Sequence, residues 1–518
     1  MVAKRLPCLA ARFEKMDVLE LLASRGAMIA RLVSDSRGCA PGAAFFAYPG
    51  EAADGRRYIP DAIGRGATAV LWEAEDFSWN DAWRVPNVAV SGLKRQAGHL
   101  AHRFHGRPSE AMWVCGVTGT NGKTTCSQWI AALLTAQGAK SGVIGTLGAG
   151  FPAAPGEGAT GALRPLSNTT PDALELHLQL ALLAGEGAQC VALEASSHGL
   201  EQGRLNGVAF DCALFTNLTH EHLDYHGSFD AYAAAKERLF DSPGLQAAVI
   251  NLDDATGERL AHKLRARGLR TIGYGLSPDT AARARGGEHL AATRIQADDA
   301  GTGFEVSGSW GAGRATIAHV GRFNVANALG VLGCLLARGC GLEDALRSLC
   351  ALPAVPGRMQ RFGGVGEPLV VVDYAHTPDA LENVLRALRP LAEERGGGLV
   401  AVFGAGGGRD PTKRAPMGEV AARLADRVML TSDNPRDEAP AAIIAAIRAG
   451  MAASGSHCDV ESGRGAAIGR AIGEADPRDV VLIAGKGHES WQEISGRRQP
   501  FSDAQAALDA LARRGSRP

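Results

Sequence analysis

The sequence predicts an α/β protein of three domains, the central one built on a mostly parallel sheet with helices on both faces. Three observations support this prediction. The 518 residues exceed what a single hydrophobic core usually holds. Short apolar runs alternate with helical patterns, which is typical of parallel sheets. Many of these runs end in polar turns, and open parallel sheets bind ligands at the carboxyl ends of their strands.

We expect a small α/β domain over residues 1–107, a central domain over 108–350 and a Rossmann-like C-terminal domain over 351–518. Residues 1–15 are expected to form a disordered extension, because they contain five charged residues and no clean apolar stretch. Glycine-rich alternation over 275–320 predicts an antiparallel excursion. Strands are predicted at 68–72, 112–118, 190–195, 208–217, 246–251, 369–373, 399–403, 427–431 and 479–484.

Composition narrows the functional class. Lysine plus arginine number 54 against 55 acidic residues, so no positive excess favours nucleic acid or an anionic membrane. No apolar stretch reaches the length of about 18 residues that a membrane span needs. The ten cysteines are scattered without a C-x-x-C pair, which favours reduced thiols in the cytoplasm. We therefore expect a cytoplasmic monomer that binds small molecules, not nucleic acid, and does not insert into membranes.

The run from Cys115 to Thr125 is the most informative motif. It predicts a buried strand, a glycine-rich loop and then a helix over 124–136. In a P-loop the backbone N–H groups cradle phosphate, Lys123 reaches the terminal phosphates and Thr124 can bind Mg²⁺. Val117 stands where a standard P-loop has glycine, so this loop is a variant. A tight turn that caps an ordinary helix is the simpler alternative.

Acidic and basic side chains near this loop suggest a metal site. Glu194 ends a predicted strand, where a carboxylate suits Mg²⁺, although it could be a surface residue. The run from His220 to His226 offers His222 as a loop ligand, and its pattern does not match a helical zinc motif. For Lys236 the simpler interpretation is a solvated helix lysine. An ammonium would be repelled by Mg²⁺, so only a neutral or carbamylated lysine would fit there.

Two arginines in the last block are candidates for binding a carboxylate. Arg436 follows Asn434 and Pro435 in the turn that starts at Asp433, and Arg409 lies in another turn. A planar guanidinium can donate two parallel hydrogen bonds to a carboxylate. Salt bridges that stabilise the loops are an equally good interpretation of these residues alone.

Together these motifs resemble the Mur ligase family of bacterial cell-wall enzymes, over nearly the whole chain from about residue 16. The order and spacing of the motifs make a chance match very improbable. The motifs are Gly119 to Thr125, Ser167 to Pro171, Glu194 to Leu200, Asp373 to Asp379, Asp433 to Arg436, and Gly485 to Glu489.

The resemblance implies a binding role for each motif. Mg²⁺ would be held by Thr124, Glu194, His222 and a carbamylated Lys236, with Lys123, Lys236 and His222 as catalytic residues. ATP would contact Gly119, Thr120, Asn121, Gly122, Lys123, Thr124, Thr125, Asn324, Arg358 and Asp373. The UDP-sugar peptide would contact Ser34, Ser36, Asn168, Thr169, Thr170, Ser196, Gln202 and Arg204. Diaminopimelate would contact Arg409, Asp433, Asn434, Pro435, Arg436, Gly485 and Glu489.

The implied activity is the ATP-dependent addition of meso-diaminopimelate to UDP-N-acetylmuramoyl-L-alanyl-D-glutamate through an acyl phosphate, in peptidoglycan precursor synthesis. No general base is evident beyond His376, a weak candidate. Two alternatives stay open at this point. One is another ligase with the same core, such as a folylpolyglutamate synthase. The other is a nucleotide-binding scaffold with an inactive site.

Overall fold

The structure is a computed structural model that describes residues 18–51, 53–152, 163–298, 301–452 and 458–515. The expected extension over 1–15 lies outside the described residues. The described strands form three principal sheets and one two-stranded ribbon. No helix in these ranges combines the length and apolar character needed to cross a bilayer.

The first sheet has four parallel strands in the order β1-β2-β3-β4. Its two central strands are buried throughout, and three helices pack around it. These elements are β1 (Arg31–Val33), β2 (Ala43–Ala47), α1 (Val18–Ser24), α2 (Ile59–Gly64), β3 (Ala69–Glu73), β4 (Asn87–Val90) and α3 (Leu93–Phe104).

The central sheet has ten strands in the order β14-β13-β12-β11-β10-β9-β5-β8-β6-β7. Its strands are β5 (Trp113–Thr118), β6 (Ser141–Gly145), β7 (Gly148–Gly150), β8 (Cys190–Glu194), β9 (Cys212–Phe215), β10 (Ala247–Asn251), β11 (Arg270–Gly275), β12 (His289–Asp298), β13 (Gly301–Gly308) and β14 (Gly311–Ile317). The last three pair in antiparallel fashion, which confirms the excursion predicted over 275–320.

Helices cover both faces of this sheet, as the sequence predicts. They are α4 (Lys123–Ala136), α5 (Ala173–Gly185), α6 (Ser197–Glu201), α7 (Leu223–His226), α8 (Phe229–Glu237), α9 (Ala255–Ala266), α10 (Thr280–Arg283), α11 (Arg322–Ala337) and α12 (Leu342–Leu349). Helices α4 and α11 form one apolar core with the sheet, while α5 and α9 form a second core on the opposite face.

The third sheet has the order β15-β16-β20-β17-β18-β19, and only its edge strand β15 runs antiparallel. Helices α13 to α15 pack on one face, and α16 and α17 pack on the other. The elements are β15 (Gln360–Gly363), β16 (Leu369–Asp373), α13 (Pro378–Glu394), β17 (Leu399–Phe403), α14 (Arg414–Leu424), β18 (Arg427–Leu430), α15 (Pro440–Ala449), β19 (Cys458–Val460), α16 (Arg464–Glu474), β20 (Val480–Ala484), β21 (Trp491–Ile494), β22 (Arg497–Pro500) and α17 (Asp503–Gly515).

A buried ion pair fastens α16 to the ends of two strands in this third unit. Arg464 and Asp503 are both 0% exposed and are joined by two hydrogen bonds of 2.7 Å. The guanidinium also donates to the carbonyls of Ala484, at 2.9 Å, and Ser432, at 3.2 Å. It therefore supports the turns that follow β18 and β20.

Replacing Arg464 with alanine should destabilise this unit by about 3–5 kcal/mol, because Asp503 would stay buried without its partner. Native-state hydrogen exchange of the β20 amides would measure the free energy of opening. The matched control is Arg470→Ala, which removes an exposed arginine from the same helix and should leave exchange nearly unchanged. Equal effects of the two substitutions would contradict a structural role for the buried pair.

Candidate active site

The loop between β5 and α4 is shaped by close contacts with the end of β9. Gly119 has a φ of 145°, and a side chain there would meet the Thr216 hydroxyl at 1.9 Å, so only glycine fits. The backbone N–H of Thr120 donates to the Asn217 carbonyl at 2.8 Å, and that of Asn121 to the Asn217 side chain at 2.9 Å. These contacts fix the loop in front of the N-terminus of α4, where anions bind favourably.

Lys123 folds back over this loop. Its Nζ donates to the carbonyls of Gly119, at 2.9 Å, and Thr120, at 2.8 Å. Burial lowers the pKa of this ammonium group. Backbone carbonyls are weak partners for a cation compared with phosphate, so the side chain is free to exchange them for an anion in the loop.

Lys236 is 2% exposed, so it is not a solvated helix lysine. Its Nζ donates to the same Gly119 carbonyl at 2.8 Å and lies 4.4 Å from the centre of the Tyr232 ring. Burial and then the nearby charge of Lys123 lower the pKa of Lys236 well below its ordinary value. A lowered pKa favours the neutral amine, which is the form that can react with carbon dioxide.

Glu194 lies at the end of β8 and is 1% exposed. Its Oε2 accepts hydrogen bonds from the hydroxyls of Thr124 and Thr146, each at 3.0 Å, and Oε1 accepts the Thr146 N–H at 2.9 Å. Within the described ranges no basic residue forms a salt bridge with Glu194. A buried carboxylate beside the Thr124 hydroxyl is a hard-oxygen donor set that fits Mg²⁺. The surface interpretation of Glu194 is therefore wrong.

His222 lies in a left-handed turn after β9, with a φ of 57°, and its side chain is 44% exposed. Burial lowers its pKa to about 4, so the imidazole is neutral near pH 7 and able to act as a ligand. Its Nε2 lies 3.7 Å from Glu221, and its ring packs against that of His198. The structure gives His222 no contact with Glu194, so a shared metal stays a prediction.

Three contacts join the central unit to the C-terminal unit at this edge. His376 Nε2 lies 3.2 Å from Glu221, Arg358 donates to the Thr124 hydroxyl at 3.2 Å, and Asn121 donates to Asp379 at 3.4 Å. The loop and the facing unit therefore share one cleft.

Glu221 is the most strongly perturbed acid in this cleft. Burial alone would raise the pKa of its carboxyl, but the His376 hydrogen bond and the surrounding positive charges outweigh burial and hold the pKa far below its usual range. Glu221 is therefore a fixed negative charge. It orients His376, whose Nδ1 lies 2.9 Å from the Tyr374 carbonyl.

The residues expected to contact adenosine have protein partners in this structure. Asn324, on α11, donates to the Val320 carbonyl at 2.9 Å. Arg358 stacks on the Tyr374 ring at 4.4 Å. Both Asp373 carboxylate oxygens accept backbone N–H groups at 2.8 Å, which shapes the turn after β16. These contacts place the three residues around the cleft but do not test nucleotide binding.

The residues expected to bind the sugar nucleotide form a chain of hydrogen bonds in the central unit. Arg204 donates to the Thr170 carbonyl at 2.7 Å and to Gln202 Oε1 at 2.8 Å, and Gln202 donates to Glu51 of the first unit. Thr169 hydrogen-bonds Thr146 at 3.0 Å, the Thr170 hydroxyl accepts the Ser196 N–H at 3.0 Å, and Asn168 donates to Ser167 at 3.2 Å.

The two serines of the first unit face different neighbours. Ser34 hydrogen-bonds Tyr48, and that tyrosine lies within electrostatic range of Arg204. Ser36 is buried and hydrogen-bonds the Asp61 carboxylate. Ser34 is therefore near the sugar-nucleotide residues of the central unit, whereas Ser36 is engaged within its own unit.

The residues expected to bind diaminopimelate converge on the glycine-rich turn after β17. A side chain at Gly406 would lie 3.2 Å from the Arg436 guanidinium and 3.9 Å from Arg409. Arg436 donates to the Gly407 carbonyl, and its Nε is 3.6 Å from Glu493. The Arg436 guanidinium and the side-chain Cγ of Arg409 thus border one glycine-lined space, and a guanidinium is a donor suited to a carboxylate.

The opposite wall of this space is a buried polar network. Asn434 donates to Glu489 at 2.8 Å, and the fully buried Lys486 donates to both, at 3.1 Å to Asn434 and 2.7 Å to Glu489. A side chain at Gly485 would meet Asp433 Oδ2 at 2.5 Å, so glycine is required there. The turn from Asp433 to Arg436 is therefore fixed at Asn434 by Lys486 and Glu489, and at Arg436 by Gly407 and Glu493.

Several residues of the site were not predicted from the sequence. Thr146 and Glu493 carry no local signal, because their partners Glu194 and Arg436 lie far along the chain. Lys413 is another example: its ammonium group lies near Glu221 and Asp433, and burial lowers its pKa. Glu221 could have been found, since it stands between two histidines in a loop that follows a strand.

Three sequence models of protein families match the chain in order. They are "Mur ligase family, catalytic domain" over residues 29–105, "Mur ligase middle domain" over 117–335, and "Mur ligase, glutamate ligase domain" over 357–487. Each match falls on a different one of the three sheets.

Curated relatives match almost end to end. The UDP-N-acetylmuramoyl-L-alanyl-D-glutamate–2,6-diaminopimelate ligase of Ralstonia nicotianae is 50% identical over 503 residues, 96% of this chain and 96% of that one. The protein of the same name from Janthinobacterium sp. (strain Marseille) is 48% identical over 500 residues, 96% of this chain and 97% of that one. A solved structure with this name is 35% identical, covers 94% of this chain and 96% of its own, and superposes with a TM-score of 0.65. With its three matched segments and its relatives at about half identity, the chain belongs to the Mur ligase family.

Proposed function

We propose that this chain is an ATP-dependent ligase that adds meso-diaminopimelate to UDP-N-acetylmuramoyl-L-alanyl-D-glutamate, a step of peptidoglycan precursor synthesis. The relatives that share about half of its residues over nearly the whole length carry the name of this activity. The proposal is supported by two basic groups of the structure, Lys123 at the N-terminus of α4 and Arg436 beside Gly406. Lys413 lies within electrostatic range of both neighbourhoods, since it is near Glu221 and Asp433.

The reaction proceeds in two steps. The side-chain carboxylate of the D-glutamyl residue attacks the γ-phosphorus of ATP, giving an acyl phosphate and ADP. An amine of diaminopimelate then attacks the acyl carbon, the new carbon–nitrogen bond forms, and inorganic phosphate leaves. Lys123 neutralises charge during phosphoryl transfer, and the loop aligns the reacting oxygens. Closure of the C-terminal unit on the central unit would exclude water, which would otherwise hydrolyse the acyl phosphate.

Mg²⁺ would be held by Thr124, Glu194, His222 and a carbamylated Lys236. Bound there, it would neutralise phosphate charge during the transfer. The buried carboxylate of Glu194, which accepts a hydrogen bond from the Thr124 hydroxyl and has no salt-bridge partner among the described residues, is the observation that supports this assignment. The burial and lowered pKa of Lys236 support the carbamate, because carbamylation would convert its amine to the anion that a metal site requires.

Each substrate would bind to its own group of residues in the three units. ATP phosphates would contact residues 119–125, with Asn324, Arg358 and Asp373 near the nucleoside. The UDP-sugar would lie between the first unit and the hydrogen-bonded residues Thr170, Arg204 and Gln202. Diaminopimelate would place its distal carboxylate against Arg409 and Arg436, with Gly485 and Glu489 near its other end.

The alternatives from the sequence fit less well. A folylpolyglutamate synthase would give no role to the Arg436 guanidinium beside Gly406. An inactive scaffold would not need a lysine buried beside the phosphate loop.

Phosphate release with ATP and the UDP-dipeptide should occur with diaminopimelate and fall strongly when lysine or glutamate replaces it. Lysine lacks the distal carboxylate, and the site would then leave two arginines without their anion. A coupled phosphate assay with each amino acid in turn measures this. Lys123→Ala, which removes the phosphate contact, serves as the inactive control. Preference for lysine or glutamate would overturn the proposal, and no turnover in folded protein would favour the scaffold.

A further inference from the structure

Three cysteines meet in the core behind the phosphate loop. Cys115 lies on β5, Cys212 on β9 and Cys334 on α11, and each is at most 1% exposed. Their Sγ atoms all lie within 4.8 Å of one another, and those of Cys115 and Cys334 are 3.8 Å apart. Among the described residues this is the only group of at least three potential metal-binding side chains with such spacing. The proposed ligase reaction uses none of them.

We propose that this trio is a binding site for trivalent arsenic, taken up as arsenous acid and held by three sulfur atoms. An atom bonded to three sulfurs at about 2.3 Å keeps them no more than about 4.0 Å apart. The trio is already close to that spacing, so small side-chain rotations complete it. Thiolate sulfur is also the soft donor that such thiophilic centres prefer.

The net charge of the complex favours a trivalent centre over divalent metal ions at this site. The trio lies in the apolar core between the sheet and α11, where an uncompensated charge is costly. Zinc takes four ligands, and three thiolates around a divalent ion leave a net negative charge. Three thiolates around arsenic(III) form a neutral complex. Arsenous acid is itself uncharged, which permits its entry into an apolar interior.

The binding reaction balances without an oxidant or reductant. Three arsenic–oxygen bonds break and three arsenic–sulfur bonds form, and each thiol proton leaves with a hydroxide as water. Hydrogen bonds from the Cys115 thiol and then the Cys334 thiol lower the pKa of Cys212, which favours loss of its proton to the departing hydroxide.

The bound centre would cross-link β5, β9 and α11. Because β5 leads directly into the loop at Gly119, the cross-link would tie the phosphate loop to α11. We therefore expect the loaded protein to unfold at a higher temperature than the free protein.

The test is incubation of the native, reduced protein with arsenite, followed by intact-protein mass spectrometry. The expected product gains one arsenic atom and loses three hydrogens. In Cys334→Ala and Cys115→Ala, the expected result is no adduct, or an adduct that retains a hydroxyl and has an affinity lowered more than about 100-fold. Cys190→Ala, which removes a buried cysteine of the neighbouring strand β8, should bind like the unaltered protein.

Circular dichroism would confirm that each variant is folded, and Cys212→Ala offers a third variant should one of the others fail to fold. No adduct in the unaltered folded protein would overturn the proposal. In the unaltered protein, an adduct that retains a hydroxyl would also overturn the proposal. So would an adduct of undiminished affinity in every variant of the trio, because it would assign arsenic to other cysteines. Failure of the ligase assay would leave these mass measurements unaffected.

Discussion

Lys236→Ala is expected to lose ligase activity by about 100-fold or more, the scale of losing a positioned electrostatic group in an active site. The reason is the environment of its amine. It is buried beside the phosphate loop, its pKa is lowered by burial and by Lys123, and as a carbamate it would supply the negative charge that a metal beside Glu194 needs. A steady-state phosphate-release assay with all three substrates measures the loss.

Chemical rescue separates a carbamate from a purely structural lysine. A short carboxylic acid such as acetate can occupy the space left by the alanine variant and replace the lost anion, so part of the activity should return in proportion to the acid added. The unaltered enzyme should also lose activity when carbon dioxide and bicarbonate are removed. Lys263→Ala, which removes an exposed lysine paired with Glu237, is the control and should keep full turnover. Unchanged turnover in Lys236→Ala would refute a catalytic role.

The sequence predicts the central strands well because buried parallel strands are apolar runs that end in polar turns. Strands β5, β8 and β16 lie within a residue or so of their predicted positions. The strands β6 and β7 were not predicted. Both segments are rich in glycine, which has a low strand propensity, so the local sequence does not indicate strands there. They form strands because β6 pairs with β8 and β7 pairs with β6.

The sequence indicated several residues of the candidate site but not the contacts between them, and their binding roles stay predictions. Glycines at 119 and 485 are readable from the sequence, and the structure shows why each must be glycine. The contact between Glu221 and His376 joins residues 155 positions apart, and no local pattern encodes it. The burial of Lys236 is similar, since its helix segment has the composition of a surface helix.

Arg436→Ala should weaken the use of diaminopimelate by about 2–5 kcal/mol, seen mainly as a higher KM. The guanidinium is partly buried beside the glycine-lined turn, and its present partners are a backbone carbonyl and a glutamate at 3.6 Å. The distal carboxylate of diaminopimelate would give it a stronger, two-pronged partner. Steady-state kinetics with diaminopimelate as the varied substrate measures the change.

Activity with lysine as the substrate tests whether Arg436 acts through the distal carboxylate of diaminopimelate. Lysine has no distal carboxylate for Arg436 to bind, so its low activity should change little in the alanine variant, and the preference for diaminopimelate should collapse. Arg436→Lys is the matched variant, because it keeps the charge but cannot donate two parallel hydrogen bonds. It should recover only part of the preference. If both substrates lose activity equally, Arg436 merely supports the turn through Gly407 and Glu493, and the specificity must come from Arg409.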